Sequence, residues 1–291
     1  RVHNIMFVQA IERVSEFVRP IYIICRYLGS TEVDSGTATF FFVNDQGYAL
    51  MCCHTFENIK DYAKSFEQYE LYKQYLEDAP KHGKKRDEYI KSLYKQTYNG
   101  NDTIQLNIRF KDKFKEIKFI DAYPQEDLLL VQFVDIKGID GIAPIFKKET
   151  SDIKEGKHLC QSGFAFSYFD NYRYNKGTDR IEWTNEGIID SKPFNVDGMV
   201  ARKLGGQLTM TTPGYDGMSG GPVFDEDGCI CGMQHHVIHE YTNFDCDRVP
   251  IWHNTKKHEV TQYPFAHFAQ CTAVDTMKNI LRKNKVDFME G

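Results

Sequence analysis

No stretch of the chain approaches the ~20 consecutive apolar residues of a membrane-spanning helix. The longest apolar runs, such as Ile21 to Cys25 and Thr39 to Val43, are strand-sized. The residues after Arg1 lack the charged-then-apolar layout of a secretory leader, and a first residue other than Met is what a trimmed or processed chain would have. There is no surplus of positive charge: Lys and Arg total 36 against 41 Asp and Glu, for a net −5. That balance argues against a general nucleic-acid surface or an anionic-membrane surface. Eight cysteines in 291 residues is well below the density of a disulfide scaffold. It predicts free thiols and a reducing, cytoplasmic setting. No phosphate loop, dinucleotide fingerprint or heptad repeat occurs, so no cofactor is expected.

What is present is an ordinary globular composition, with 41% hydrophobic and 26% charged residues and an elevated 14% aromatic content. Ile5, Val8, Ile11, Val14, Phe17 and Val18 recur at mostly helical spacing, which predicts a helix over 4–19 that Pro20 ends. The period then changes. Ile21 to Cys25 reads as a strand, and Thr37 to Val43 and Tyr48 to Cys53 flank the turn signal Asn44-Asp-Gln-Gly47, predicting a hairpin with His54 at its far end.

Residues 57–98 differ in kind, being rich in Glu, Lys and Tyr. Ile59, Tyr62, Phe66, Tyr69, Tyr72 and Leu76 fall three or four apart, and the spacing resumes from Tyr89 after Pro80 and Gly83. Two helices inserted between strands are predicted. They serve either as a solvated, charged insertion or as a lid or docking element for a partner over 57–100. Strands resume at 104–110, 116–122 and 128–134, with a turn at Pro124-Gln-Glu-Asp127. In the second half, strands are expected at 157–166, 180–190, 207–211, 222–224, 229–237 and 264–273, and a helix at 274–285. Many short strands separated by Gly and Asn/Asp turns predict an all-β protein built of barrels. The expected division is a helix over 1–19, a first barrel over 20–135, a connector over 136–150, a second barrel over 151–273, and a helix and tail over 274–291.

The strongest local chemical signal is Gly217-Met-Ser219-Gly-Gly-Pro-Val-Phe224. A serine attacking a carbonyl needs a base, a group to orient that base, and donors for the developing oxyanion. Glycines beside the serine let backbone N–H groups converge on one point. Gly217-Met-Ser-Gly-Gly221 also fits the G-x-S-x-G elbow of α/β-hydrolases, but that elbow passes from strand to helix. Here Gly-Gly-Pro and a strand-turn-strand pattern follow, so that assignment is set aside.

Ser219-Gly-Gly-Pro-Val223 resembles the serine motif of chymotrypsin-fold proteases, nearest the bacterial-type Deg/HtrA-like branch. Ser35-Gly-Thr-Ala-Thr-Phe-Phe-Phe-Val-Asn-Asp-Gln-Gly-Tyr-Ala-Leu-Met-Cys-Cys-His54 is similar to that family's hairpin ending in the catalytic histidine. Phe119-Ile-Asp-Ala-Tyr-Pro-Gln-Glu-Asp127-Leu-Leu-Leu-Val131 is similar to its aspartate and buried strand, and Asp152 to Phe164 resembles the start of its second barrel. The resemblance covers roughly 5–56 and 104–285. It implies a double six-stranded β-barrel, here with terminal helices and a helical insertion. It implies a serine endopeptidase with Ser219 as nucleophile, His54 as base and Asp127 orienting it, and with the Gly217 and Ser219 amides as oxyanion donors. The substrate would be a protein or peptide, with no nucleic acid, membrane or metal involved. The alternative is a catalytically inactive protease-like module that holds a protein partner.

The chain departs from secreted trypsin-like enzymes at several places. Met218 precedes the serine where they carry an Asp that pairs with a new N-terminus, so activation by that route is not expected. Thr55 follows the histidine in place of their cysteine. Pro213, six before the serine, replaces the pocket Asp that selects Arg or Lys. Glutamate-specific relatives use a histidine in the pocket wall, which makes His235 or His236 candidates for the same role. Deg/HtrA relatives usually carry a peptide-binding domain after the position of residue 285; this chain is expected either to lack one or to be truncated. Cys229, Cys231, His235, His236, His239, Cys246, His253 and His258 crowd together as a structural zinc site would, but C-x-C does not match the usual ligand spacing, so no such site is expected.

Overall fold

The computed structural model describes residues 7–28, 30–97, 103–242, 247–253, 256–262 and 265–291. Helix α1 (Val8–Ser15) leads into β1 (Val18–Tyr27), β2 (Asp34–Phe42) and β3 (Tyr48–Cys52). Helices α2 (Cys53–Asp78) and α3 (Lys84–Thr97) follow, then β4 (Thr103–Phe110), β5 (Glu116–Tyr123) and β6 (Leu128–Val134). The second half holds β7 (Ile145–Phe146), β8 (His158–Gly163), β9 (Tyr168–Phe169), β10 (Tyr172–Asn175), β11 (Arg180–Trp183) and β12 (Ile189–Asp190). It continues with β13 (Phe194–Leu204), β14 (Gln207–Met210), β15 (Pro222–Phe224), β16 (Ile230–Tyr241), β17 (Asp247–His253), β18 (Lys256–Gln262), β19 (Phe265–Ala273), α4 (Val274–Lys283) and β20 (Met289–Glu290).

The first six strands form one antiparallel barrel sheet in the order β4-β1-β2-β3-β6-β5. In the second sheet the order is β15-β8-β13-β14-β19-β16, and β15 also pairs with β16, which closes a six-strand ring. β7 and β20 extend that sheet beyond β16 in parallel. The architecture is a chymotrypsin-like double β-barrel, as the strand pattern and the motif order imply.

Three consecutive phenylalanines sit in β2 because both faces of that strand are covered. Phe40 and Phe42 point into the first barrel against Phe133, at ring-centroid distances of 5.0 and 5.5 Å. Phe41 points the other way, toward Phe17 and Phe146. A single buried cluster therefore runs from Phe40 and Leu130 through to Ile230 and Leu281. Pro20 does not break β1. It pairs with Thr39 on the β2 side, and the β4 ladder begins one residue later at Ile21–Phe110, so no partner is deprived of its N–H. The first helix is shorter than its apolar pattern, and residues 4–6 of the expected 4–19 helix lie outside the described residues.

The insertion is two helices, as the spacing predicts, but α2 starts at Cys53 rather than after residue 57. It is anchored through Tyr69 and Lys73 to Asp179, at the β10–β11 turn. Asp179 accepts hydrogen bonds from Tyr69 Oη and from Tyr174 Oη at 2.8 Å, and its Oδ1 lies 2.7 Å from Nη2 of the buried Arg26 of β1. Lys73 Nζ lies 3.7 Å from its other oxygen. Burial pushes the Asp179 carboxyl up, but the two tyrosine hydroxyls and Arg26 outweigh it and hold it below the usual aspartate range. The charge cluster thus ties insertion, first barrel and hairpin together. Asp179→Ala leaves a buried guanidinium without its anion and is expected to cost about 3 kcal/mol at neutral pH. Because the shift is downward, that contribution is present above the unfolded pKa and lost as pH falls through the folded one. Denaturant titrations at neutral and acid pH check both statements.

Candidate active site

The register of β3 against β6 places Cys52 opposite Leu128, so His54 and Asp127 are brought side by side at one end of the ladder. Asp127 ends a short turn at Pro124–Glu126 in a left-handed conformation, φ 52°. Its backbone oxygen accepts the Cys53 N–H at 3.2 Å, its Oδ1 accepts the His54 N–H at 2.8 Å, and its Oδ2 lies 2.5 Å from His54 Nδ1. One aspartate therefore receives two of the N–H groups at the start of α2, as a capping residue does, and also holds the imidazole. The hydrogen bond to Asp127 raises the His54 pKa, against partial burial that lowers it. Asp127 is a non-glycine residue held at positive φ by its surroundings, a form of strain that concentrates at functional positions.

Ser219 lies in the turn between β14 and β15. Gly217 and Gly220 take φ +92° and +87°, which side chains rarely adopt. Space excludes side chains there as well. A Cβ on Gly220 would stand 2.0 Å from Thr39 O, and one on Gly217 would stand 2.5 Å from Phe164 O. The turn is pressed against the first barrel and fixed there by Thr39, which is fully buried. Its N–H donates to Ser219 O at 2.9 Å, its Oγ1 donates to Gly217 O at 2.6 Å, and that same Oγ1 accepts the Phe164 N–H at 2.9 Å. On the other side Gly220 N–H donates to Gln234 O and Gln234 N–H to Gly221 O, at 2.8 and 2.9 Å. Among the described residues the Gly217 and Ser219 amides donate to no protein acceptor.

His54, Asp127, Asp216, Ser219, His235 and His236 line one open cavity of about 800 Å³. Pro213 lines a neighbouring cavity of about 690 Å³ with Gly214, Tyr215 and Phe166. Asp216, Val237 and His239 border both. The three residues expected at a specificity pocket thus do not share one cavity. His235 bonds Gln207 Oε1 through Nε2 at 3.0 Å, and burial lowers its pKa to about 4, so it is neutral at neutral pH. Gln234, buried with both side-chain amide atoms unpartnered among the described residues, lies behind Gly214. Met218 is buried in the serine turn. Sequence inspection did not single out Thr39, Asp216 or Gln234. Asp216 carried a signal, standing three residues before the serine between Tyr215 and Gly217, whereas Thr39 looks like any strand threonine.

Residues 36–233 match the sequence profile of the trypsin-like peptidase domain. The chain belongs to the trypsin-like peptidase family. Comparison with curated proteins finds no match. The matched span of this peptidase domain contains His54, Asp127 and Ser219 and the whole α2–α3 insertion.

Cys229 and Cys231 are buried and free, and their thiols are pushed up, chiefly by burial. Cys246 lies outside the described residues.

Thr39→Val keeps the shape of the buried side chain but removes the donor to Gly217 O and the acceptor of Phe164 N–H. A loss of about 1–3 kcal/mol is expected, the cost of a buried polar group left unpaired. Denaturant unfolding measures it, and Thr39→Ser, which keeps the hydroxyl, should recover most of it.

Proposed function

We propose that the protein is a serine endopeptidase acting through Ser219, His54 and Asp127. The observation that carries this reading is the 2.5 Å His54–Asp127 contact beside Ser219 in one open cavity, with the amides of Gly217 and Ser219 left without protein acceptors. His54 takes the Ser219 proton as Oγ attacks the scissile carbonyl, and later returns it to the leaving amine. Asp127 fixes the imidazole through Nδ1 and stabilises the imidazolium. The two amides receive the oxyanion of each tetrahedral intermediate. Water then releases the acyl group by the same steps.

The serine turn is held by Thr39, Gln234 and its own hydrogen bonds, with no ion pair to Met218 possible. The reading therefore needs no N-terminal ammonium to form the oxyanion site, in keeping with the Deg/HtrA-like resemblance. No basic-residue preference is supported by Pro213. Cys25, Cys52, Cys160, Cys229, Cys231 and Cys271 are free thiols, which favours a reducing, cytoplasmic setting. Helices α2 and α3 offer a surface for a protein partner or regulator.

Ser219→Ala is expected to lower kcat by about 10⁴ or more and to abolish labelling by a fluorophosphonate probe. A folded wild-type chain that is never labelled would favour the non-catalytic binding module instead.

The base must be neutral to accept the proton, so kcat/KM should rise with pH through the His54 pKa. Since that pKa is raised, the midpoint should lie above the ordinary histidine value of about 6.5. Asp127→Asn removes the stabilising charge and should cost about 10⁴ in kcat while moving the midpoint down. A pH–rate profile of both proteins, on any cleaved peptide, checks this.

A further inference from the structure

β16 and β19 run antiparallel, and their register sets His239 directly opposite His267. Directly opposed side chains share a face with Cβ atoms about 5 Å apart, so the two imidazoles must meet. They do so through their Nδ1 atoms, 2.6 Å apart, with ring planes crossing at 83°. Both residues are exposed. His239 borders the cavity that contains Ser219 as well as its neighbour, and His267 borders the neighbour. Asp216, exposed and three residues before Ser219, borders both.

Two imidazole lone pairs cannot face each other at this distance. Either one nitrogen carries a proton and donates it, or a cation takes its place. Zinc bonds to histidine nitrogen at about 2.0–2.1 Å, and tetrahedral geometry then sets the two nitrogens about 3.4 Å apart. Opening the pair by less than about 1 Å through rotation of two exposed side chains meets that requirement. The strands already hold both rings on one face, so little ordering is needed. Water in the shared cavity is available for the remaining positions, as at zinc sites that keep open coordination.

Among the described residues, one cluster has three metal-binding atoms already close together: Cys52, His54 and Asp127. It is a poor competitor. Burial holds the Cys52 thiol well above its usual range, so it offers no thiolate, and His54 and Asp127 are engaged with each other.

We propose that His239 and His267 form a reversible zinc site on the rim of the cleft, and that zinc bound there obstructs substrate entry and inhibits the enzyme. Only the inhibition rests on the peptidase reading; the binding does not.

Calorimetry with zinc chloride on the Ser219→Ala protein tests the site without relying on activity. One ion per chain is expected, and His239→Gln and His267→Gln should each weaken binding by about tenfold or more, as loss of a ligand costs at least what loss of a supporting contact does. Circular dichroism verifies that each variant is folded. Inhibition of the active protein, read against each variant's own zinc-free rate, should shift by the same factor. Unchanged affinity in both variants, or binding lost only in His54→Ala, overturns the site. Zinc held by the pair without inhibition of an active protein overturns the regulatory role. A protein that binds zinc through the pair but cleaves no peptide overturns the peptidase reading and leaves the site standing.

Discussion

The seat of the serine turn against the first barrel depends on one residue. Thr39 lies just beyond the β2–β3 pairing, which begins at Phe40–Met51, and so its N–H is not taken by β3. It goes to Ser219 O, while the hydroxyl bridges Gly217 O and Phe164 N–H. A single side chain of the first barrel thereby fixes both the serine turn and the strand end beside it in the second. In a dry setting such bonds are stronger and more costly to leave unmade than in water. The close approach explains why glycine occupies 217 and 220, where a Cβ would strike Phe164 O or Thr39 O. The motif's composition follows from the contact between barrels as much as from chemistry at the serine.

The insertion obeys a different logic. Among its described residues, burial of Tyr69 and Ala79 is supplemented by charge. Arg26 would be costly inside the protein without an anion, and Asp179 would not hold its depressed pKa without Arg26 and the tyrosines. The cluster brings together positions 26, 69, 174 and 179, so residues of both halves of the chain hold the insertion in place.

Continuous apolar runs made most of the first barrel legible, because β2, β3 and β6 are covered on both faces and bounded by strong turns. Asn44-Asp-Gln-Gly47 is such a turn, with Asn44 Oδ1 accepting the Gln46 N–H at 3.1 Å. The order of His54, Asp127 and Ser219 was legible through their motifs. β13 was not, since Asp197, Gly198, Arg202 and Lys203 interrupt it and its outer face is solvated. β17 and β18 were missed because Arg248, Lys256, Lys257 and Glu259 mask any apolar period. The stretch from 180 to 190 looks continuous but divides into β11 and β12. The start of α2 at Cys53 was hidden too: its N–H groups are received by Asp127, 74 residues away from Cys53, and no local residue signals it. His239 and His267 became neighbours only once the register was known.

The double role of Asp127 ties the first turn of α2 to the state of the dyad. Fraying that turn frees the His54 amide from Oδ1 and, by the same movement, withdraws the imidazole from Oδ2. Helix opening and loss of the His54–Asp127 contact are thus one cooperative event, with one free energy. Exchange of the His54 amide with solvent would accordingly count the molecules in which the His54–Asp127 contact is momentarily broken, and the stability of a helix end would set how often that happens.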